Sequence, residues 1–87
     1  MMPQGDLTMD TVPVWLVQGL QQLNRADLAV DLSQVKTVDS AAVSMLLAWQ
    51  RAAQHGQRGF QISNLPDNLL SLARLYGVEE MLPMQTV

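Results

Sequence analysis

Leu28, Val30 and Leu32 alternate with Ala29 and Asp31, whereas the apolar residues before and after this stretch recur every three or four positions. A period of two is that of a strand with one buried face, and a period near 3.6 is that of an amphipathic helix. Strands that take turns with helices are joined by crossovers. The pattern therefore predicts an α/β fold: a small mixed, mostly parallel sheet with helices packed on it. The 87 residues allow one domain, spanning 1–87. A chain this short buries only about 60–65% of its extended surface, so its single core is small.

Gly5–Met9 reads as the short end of a strand. After Thr11, the residues Val12, Leu16, Leu20 and Leu23 recur at helical spacing and predict a helix over Val12–Leu23. Pro13 is tolerated in its first turn, where the missing N–H would have had no partner. Gly19 inside this helix costs about 1 kcal/mol relative to Ala. Two readings of it stand, a place for close packing or a weak point. Asn24–Asp27 reads as a turn, Leu28–Leu32 as a strand, and Ser33–Asp39 as a loop with Val35 and Val38 as inward anchors. Ser40–Gln54 is the longest helix, closed by His55 near the negative end of its dipole and by Gly56 in the left-handed position beyond it. Phe60–Ser63 is a second short strand. Pro66 and Asp67 open the last helix, with Leu69, Leu72, Ala73 and Tyr76 on one face. Gly77 and Val78 suit a Schellman ending, in which Val78 packs back on the last turn. Glu79–Val87 is a tail pinned by Met81 and Leu82.

The long helix carries the functional information. With Ala41 at zero and about 100° per residue, Ala42, Leu46, Trp49 and Ala53 fall between roughly 80° and 140°. Ala41, Met45, Ala48 and Ala52 form a second sector from about 340° to 40°. A helix lying on one sheet needs a stripe little wider than about 100°, so this second sector is apolar surface to spare. Its small side chains let a partner's backbone approach, and Met45 adapts its shape. The expected partner-binding set is Ser40, Ala41, Ser44, Met45 and Ala48. The alternative is that the helix is buried on several sides.

Composition narrows the function classes. A hydrophobic fraction of 48% with only 15% charged residues argues against disorder and leaves apolar surface over once the core is built. Without cysteine there is no disulfide, thiolate or Cys-based metal chemistry, and the single His55 cannot form a histidine cluster. Five dispersed basic residues against eight acidic ones, a net charge of −3, make nucleic acid a poor partner. No apolar run approaches the roughly 20 residues that span a bilayer, and no secretory signal opens the chain, which places it in the cytosol. No phosphate loop, nucleophile elbow or paired carboxylates are present, so the expectation is no catalysis, no metal and no cofactor. Asp39-Ser40 has two readings at the helix start: an N-cap worth about 1 kcal/mol, or a phosphorylation site at Ser40 that switches a partner. Asp31 is expected to accept hydrogen bonds from loop N–H groups, and with Asp39 to structure the loop.

The stretch Val30-Asp31-Leu32-Ser33, then Val35, then Val38-Asp39-Ser40-Ala41-Ala42, resembles the signature of STAS domains. Leu72-Ala73-Arg74-Leu75-Tyr76-Gly77-Val78, followed by Met81-Leu82-Pro83, is similar to the closing segment of the MlaB-like branch. Gly5-Asp6-Leu7-Thr8 resembles the end of that family's second strand. The resemblance implies a cytoplasmic, non-catalytic subunit, peripheral to the inner membrane through its partner. That partner would be the ATPase of an ABC transporter that moves phospholipid between the two membranes and sustains outer-membrane asymmetry. It also implies an alternative, an anti-sigma factor antagonist whose serine, here Ser40, is phosphorylated by an anti-sigma factor kinase. Ala41-Ala42 stands where the family has a residue followed by glycine. The family's first strand has no counterpart before Gly5, so the N-terminal edge strand is short or missing, and that edge is a place for homodimerisation or strand exchange.

Overall fold

The computed structural model describes residues 1–83. In chain order it contains β1 (Gly5–Leu7), α1 (Val12–Leu23), β2 (Leu28–Asp31), β3 (Val35–Val38), α2 (Ser40–Gly56), β4 (Phe60–Ser63) and α3 (Asp67–Leu75), then a single 3₁₀ turn at Glu79–Met81. This is the expected small α/β arrangement of a STAS-like fold. Its strands form two parallel pairs, β1 with β3 and β2 with β4.

The pairs are drawn together by the N-terminal segment. Met1 donates its ammonium to Ala29 O at 2.9 Å and accepts from Asp31 N at 2.9 Å. A few residues later Gly5 N donates to Gln34 O at 3.0 Å, and Leu7 O accepts from Asp39 N at 3.2 Å. The N-terminal segment is therefore hydrogen-bonded to β2 through Met1 and to β3 through β1. Pro83 O accepts from Ile62 N at 3.0 Å along the far side of β4.

The alternation in β2 does what its period demands. Leu28 and Val30 are 1% exposed and Leu32 is fully buried, while Ala29 lies in the open. β4 follows suit, with Phe60 and Ile62 inward and Gln61 outward, in register from Leu28–Phe60 to Asp31–Ser63. Both helices α1 and α2 pack on the inward side, and Trp49 sits at their junction. Its indole is wholly buried, meets Phe60 edge-on at 6.1 Å, and donates Nε1–H to Leu16 O at 3.1 Å. Gly19 lies directly over that ring, so of its two readings close packing is the one observed.

Four expectations change. Val35–Val38 is a strand and not a loop. Its register advances from Gly5–Val35 to Leu7–Val38, three residues on β3 against two on β1, so a bulge breaks the alternation that would have revealed it. Gly56 stays in the helix, and Gln57, at φ 54°, takes the left-handed position. Tyr76 is 51% exposed and does not line the core face of α3. Leu82 is buried and pins the tail, but Met81 is 55% exposed. The end of the expected tail, 84–87, lies outside the described residues. The Schellman ending of α3 forms as read: Val78 N donates to Ala73 O at 2.9 Å and Gly77, at φ 69°, to Arg74 O at 3.0 Å.

Candidate functional site: a groove at the start of α2

Asp39 caps α2. Its backbone is extended, and its Oδ1 accepts from Ala41 N at 2.8 Å, while Oδ2 accepts from Met9 N at 3.0 Å. One carboxylate thus caps the start of the helix and ties down the segment leading into α1. Thr11 holds the same segment by donating to Asp6 O at 2.7 Å and accepting from Thr8 N at 3.0 Å. The cap reading of Asp39-Ser40 therefore belongs to Asp39, and Ser40 is the first helical residue, exposed to solvent.

Asp31 structures the loop it was expected to structure. Its Oδ1 accepts from Asn64 Nδ2 at 3.0 Å and from Ser33 N at 2.9 Å. The Asn64 hydrogen bond first, and the Ser33 bonds after it, hold the Asp31 carboxyl below its ordinary value of 3.8. A depressed carboxyl stabilises the fold above that ordinary value, and the contribution is lost as pH falls through the folded value. Asp31→Asn is therefore expected to lower the urea midpoint at neutral pH and to converge with the native chain once acid has protonated the carboxyl. Parallel curves at both pH values would refute the role.

The expected partner-binding residues divide. Ser40 and Ser44 are exposed, and Ala41 and Ala48 are half-buried. Met45 is 1% exposed and belongs to the core. The reason is that α2 is covered from two directions. Trp49 reaches α1 at Leu16, and Gly56 approaches Leu23 O, so α1 runs alongside α2. The alanine sector is not wholly spare surface, and Met45 is withdrawn from the docking set.

The structure places an opening next to it instead. Ser40, Val43, Ser44 and Leu47 of α2 form one wall, and Tyr76 and Val78 form the other, around about 360 Å³. The second wall exists because the Schellman turn at Gly77 folds Val78 back toward α2. Val43 is 3% exposed, while Tyr76 on the opposite wall stands 51% exposed. None of the six lining residues is charged. An apolar groove with hydroxyls at its mouth suits a protein segment: it offers area to bury and donors to orient it. Nothing there activates a nucleophile or holds a metal, and among the described residues no group of three or more His, Asp or Glu could bind one. Val43, Leu47, Tyr76 and Val78 are not among the expected partner-binding residues. For Tyr76 and Val78 the one local signal is the L-Y-G-V run, where an apolar residue follows the helix stop.

Among known proteins, the family model described as Mlab, STAS domain matches residues 4–83 of this chain. No curated protein matches it.

Proposed function

This chain belongs to the STAS domain family, in its MlaB-like branch, and on that premise we propose that it is a non-catalytic subunit that docks on the ATPase of a phospholipid-transporting ABC system and regulates it. The observation that carries the reading is the uncharged groove opening at the exposed Ser40, on the rigid start of α2. A binding module needs such a surface, and its action is steric and allosteric: contact favours one conformation of the ATPase over another. It sits on the cytoplasmic side and meets the membrane only through the transporter. In keeping with this, no helix among the described residues is long and apolar enough to cross a bilayer.

Co-expression with the tagged ATPase subunit tests it. The native chain is expected to co-purify in fixed ratio and to change the ATP hydrolysis rate, and Ser40→Glu is expected to abolish both while melting normally. A native chain that neither co-purifies nor alters the rate refutes the reading.

A second reading rests on the same exposed hydroxyl. As the first residue of α2, Ser40 is open to a kinase, and a phosphate there would bring about two negative charges to the groove mouth. The reading is an anti-sigma factor antagonist released by phosphorylation. Stoichiometric phosphate on Ser40 after incubation with a cognate kinase, read by mass, would favour it over the transporter subunit.

A further inference from the structure

We infer that two copies of this chain pair through their N-terminal segments, Met2 of each hydrogen-bonded to Gln4 of the other in an antiparallel, twofold ladder centred on Pro3.

The ladder bonds of residues 1–7 face one way. Met1 N and O meet β2, Gly5 N meets Gln34 O, and Leu7 O meets Asp39 N at the end of β3. In extended chain successive residues turn their N–H and C=O to opposite sides. Burial keeps the same period: Pro3 and Leu7 are buried, and Met2, Gln4 and Asp6 are exposed. Met2 and Gln4 therefore aim their peptide groups away from β2 and β3. Among the described residues neither main chain makes a hydrogen bond. The free stretch ends there, because Gly5 turns at φ 79° and Asp6 O already accepts from Thr11 Oγ1 at 2.7 Å.

The usual protections of a sheet edge are absent from this stretch. Neither Met2 nor Gln4 carries a charge. Proline blocks an edge where its nitrogen faces outward, and Pro3 occupies an inward position between two outward ones. It fixes its own φ and holds Met2 extended, so the edge is ordered before anything pairs with it. Beside it is an opening of about 420 Å³, with Met1 and Met2 on one side and Trp15, Gln18 and Gln21 of α1 on the other. An added strand has a floor there.

A second copy is the occupant whose groups match. Turned about a twofold axis, the edge presents its own donors and acceptors in reverse order. Met2 opposite Gln4 exchanges two hydrogen bonds, and Gln4 opposite Met2 exchanges two more. Pro3 then faces Pro3 at the non-hydrogen-bonded site, where no N–H is required. The neighbouring register, Gln4 opposite Gln4, needs Asp6 O, which is taken. In the favoured register Asp6 of the second copy falls next beyond Met1. An exposed carboxylate thus meets the Met1 ammonium, at the opening that Arg25 also lines. None of the six residues lining the α2 groove lies on this edge, so the pair presents two grooves.

Sedimentation equilibrium over a range of concentrations tests the pairing. The native chain is expected to pass from monomer to dimer as concentration rises. Gln4→Pro removes an N–H that has no partner in the single chain. It is expected to melt as native and to weaken the dimer about thirtyfold, the worth of two of the four bonds. Gln4→Ala keeps the N–H and is expected to dimerise as native. The chain has no cysteine, so single cysteines report the register. Under oxidation Pro3→Cys is expected to cross-link, because facing residues at a non-hydrogen-bonded site have Cα atoms about 4.5 Å apart. Gln4→Cys is expected not to, because its two copies stand diagonally, about 7–8 Å apart. A native chain that stays monomeric at every concentration overturns the pairing. A Gln4→Pro that dimerises as native, or a Gln4→Cys that cross-links as readily as Pro3→Cys, does the same. Amide-exchange protection of Met2 and Gln4 that arises only with the ATPase subunit assigns the edge to that partner and also overturns it.

Discussion

Gly19→Ala is expected to lower the thermal midpoint by about 10 °C, a large effect for one added methyl. A Cβ at Gly19 would sit 2.2 Å from both Cε2 and Nε1 of Trp49 and 2.6 Å from Cζ2. These are atoms of a flat, rigid ring, not the end of a flexible chain. The ring has nowhere to go: it is fully buried, held by its bond to Leu16 O, and set edge-on against Phe60. Overpacking of this kind costs about 1–3 kcal/mol, and here the upper part of that range applies. Alanine returns about 1 kcal/mol in helix propensity, so the net cost is about 2 kcal/mol. Against a total of about 4–13 kcal/mol for a chain this size, that is a substantial share. Gly56→Ala makes the contrast. It is also helical, but its Cβ would meet Arg58 Cγ at 3.5 Å and Leu23 O at 3.9 Å, both ordinary van der Waals contacts. That variant is expected to gain up to about 1 kcal/mol. Melting both by circular dichroism decides the matter, and two glycines that respond alike would show that Gly19 is not a packing residue.

The same contact explains which parts of the fold were legible in the sequence. The bounds of α1 and β4 follow from local signals: Thr11 and Pro13 at one end, Asn24 at the other, and the apolar pair Phe60 and Ile62. The ending of α3 follows from Gly77 and Val78. Such signals work because each rests on a period or a stop within a few residues. β3 was hidden because its partner lies about thirty residues earlier and a bulge gives its two inward valines a spacing of three. The extent of the spare face of α2 is hidden for a related reason. Its apolar arc is wider than one sheet requires, and α1, pressed close by Gly19, covers much of the excess. Met45 went into the core by that route. The groove was out of reach altogether. One of its walls comes from the turn after α3, and no periodicity in α2 shows that Tyr76 and Val78 will arrive opposite Leu47. What the sequence did supply was the exposed hydroxyl at the groove mouth, Ser40, and the family resemblance through which it was noticed.

Leu47→Asp is expected to weaken binding of the ATPase subunit by more than about a hundredfold, which corresponds to about 2.7 kcal/mol. Leu47 lies one helical turn from Ser44 and faces the Tyr76 wall across the groove. A docked segment would strip water from this position, and a carboxylate there would lose its hydration against apolar walls with no cation in the lining to repay it. Central, dry contacts of this kind carry most of the binding energy of an interface, whereas rim charges contribute modestly. Leu47 is also half-buried against the core, so its replacement will cost some stability, and a second variant is needed. Tyr76→Ala supplies it: the ring is 51% exposed, and its removal leaves the Schellman bonds of Gly77 and Val78 in place. It is expected to lose about tenfold or more in affinity with a near-native melt, since exposed tyrosines that become buried on binding are frequent anchors. If both variants bind as tightly as the native chain while Ser40→Glu does not, the partner touches the helix start from the other side, and the groove between Leu47 and Tyr76 is not the seat of docking.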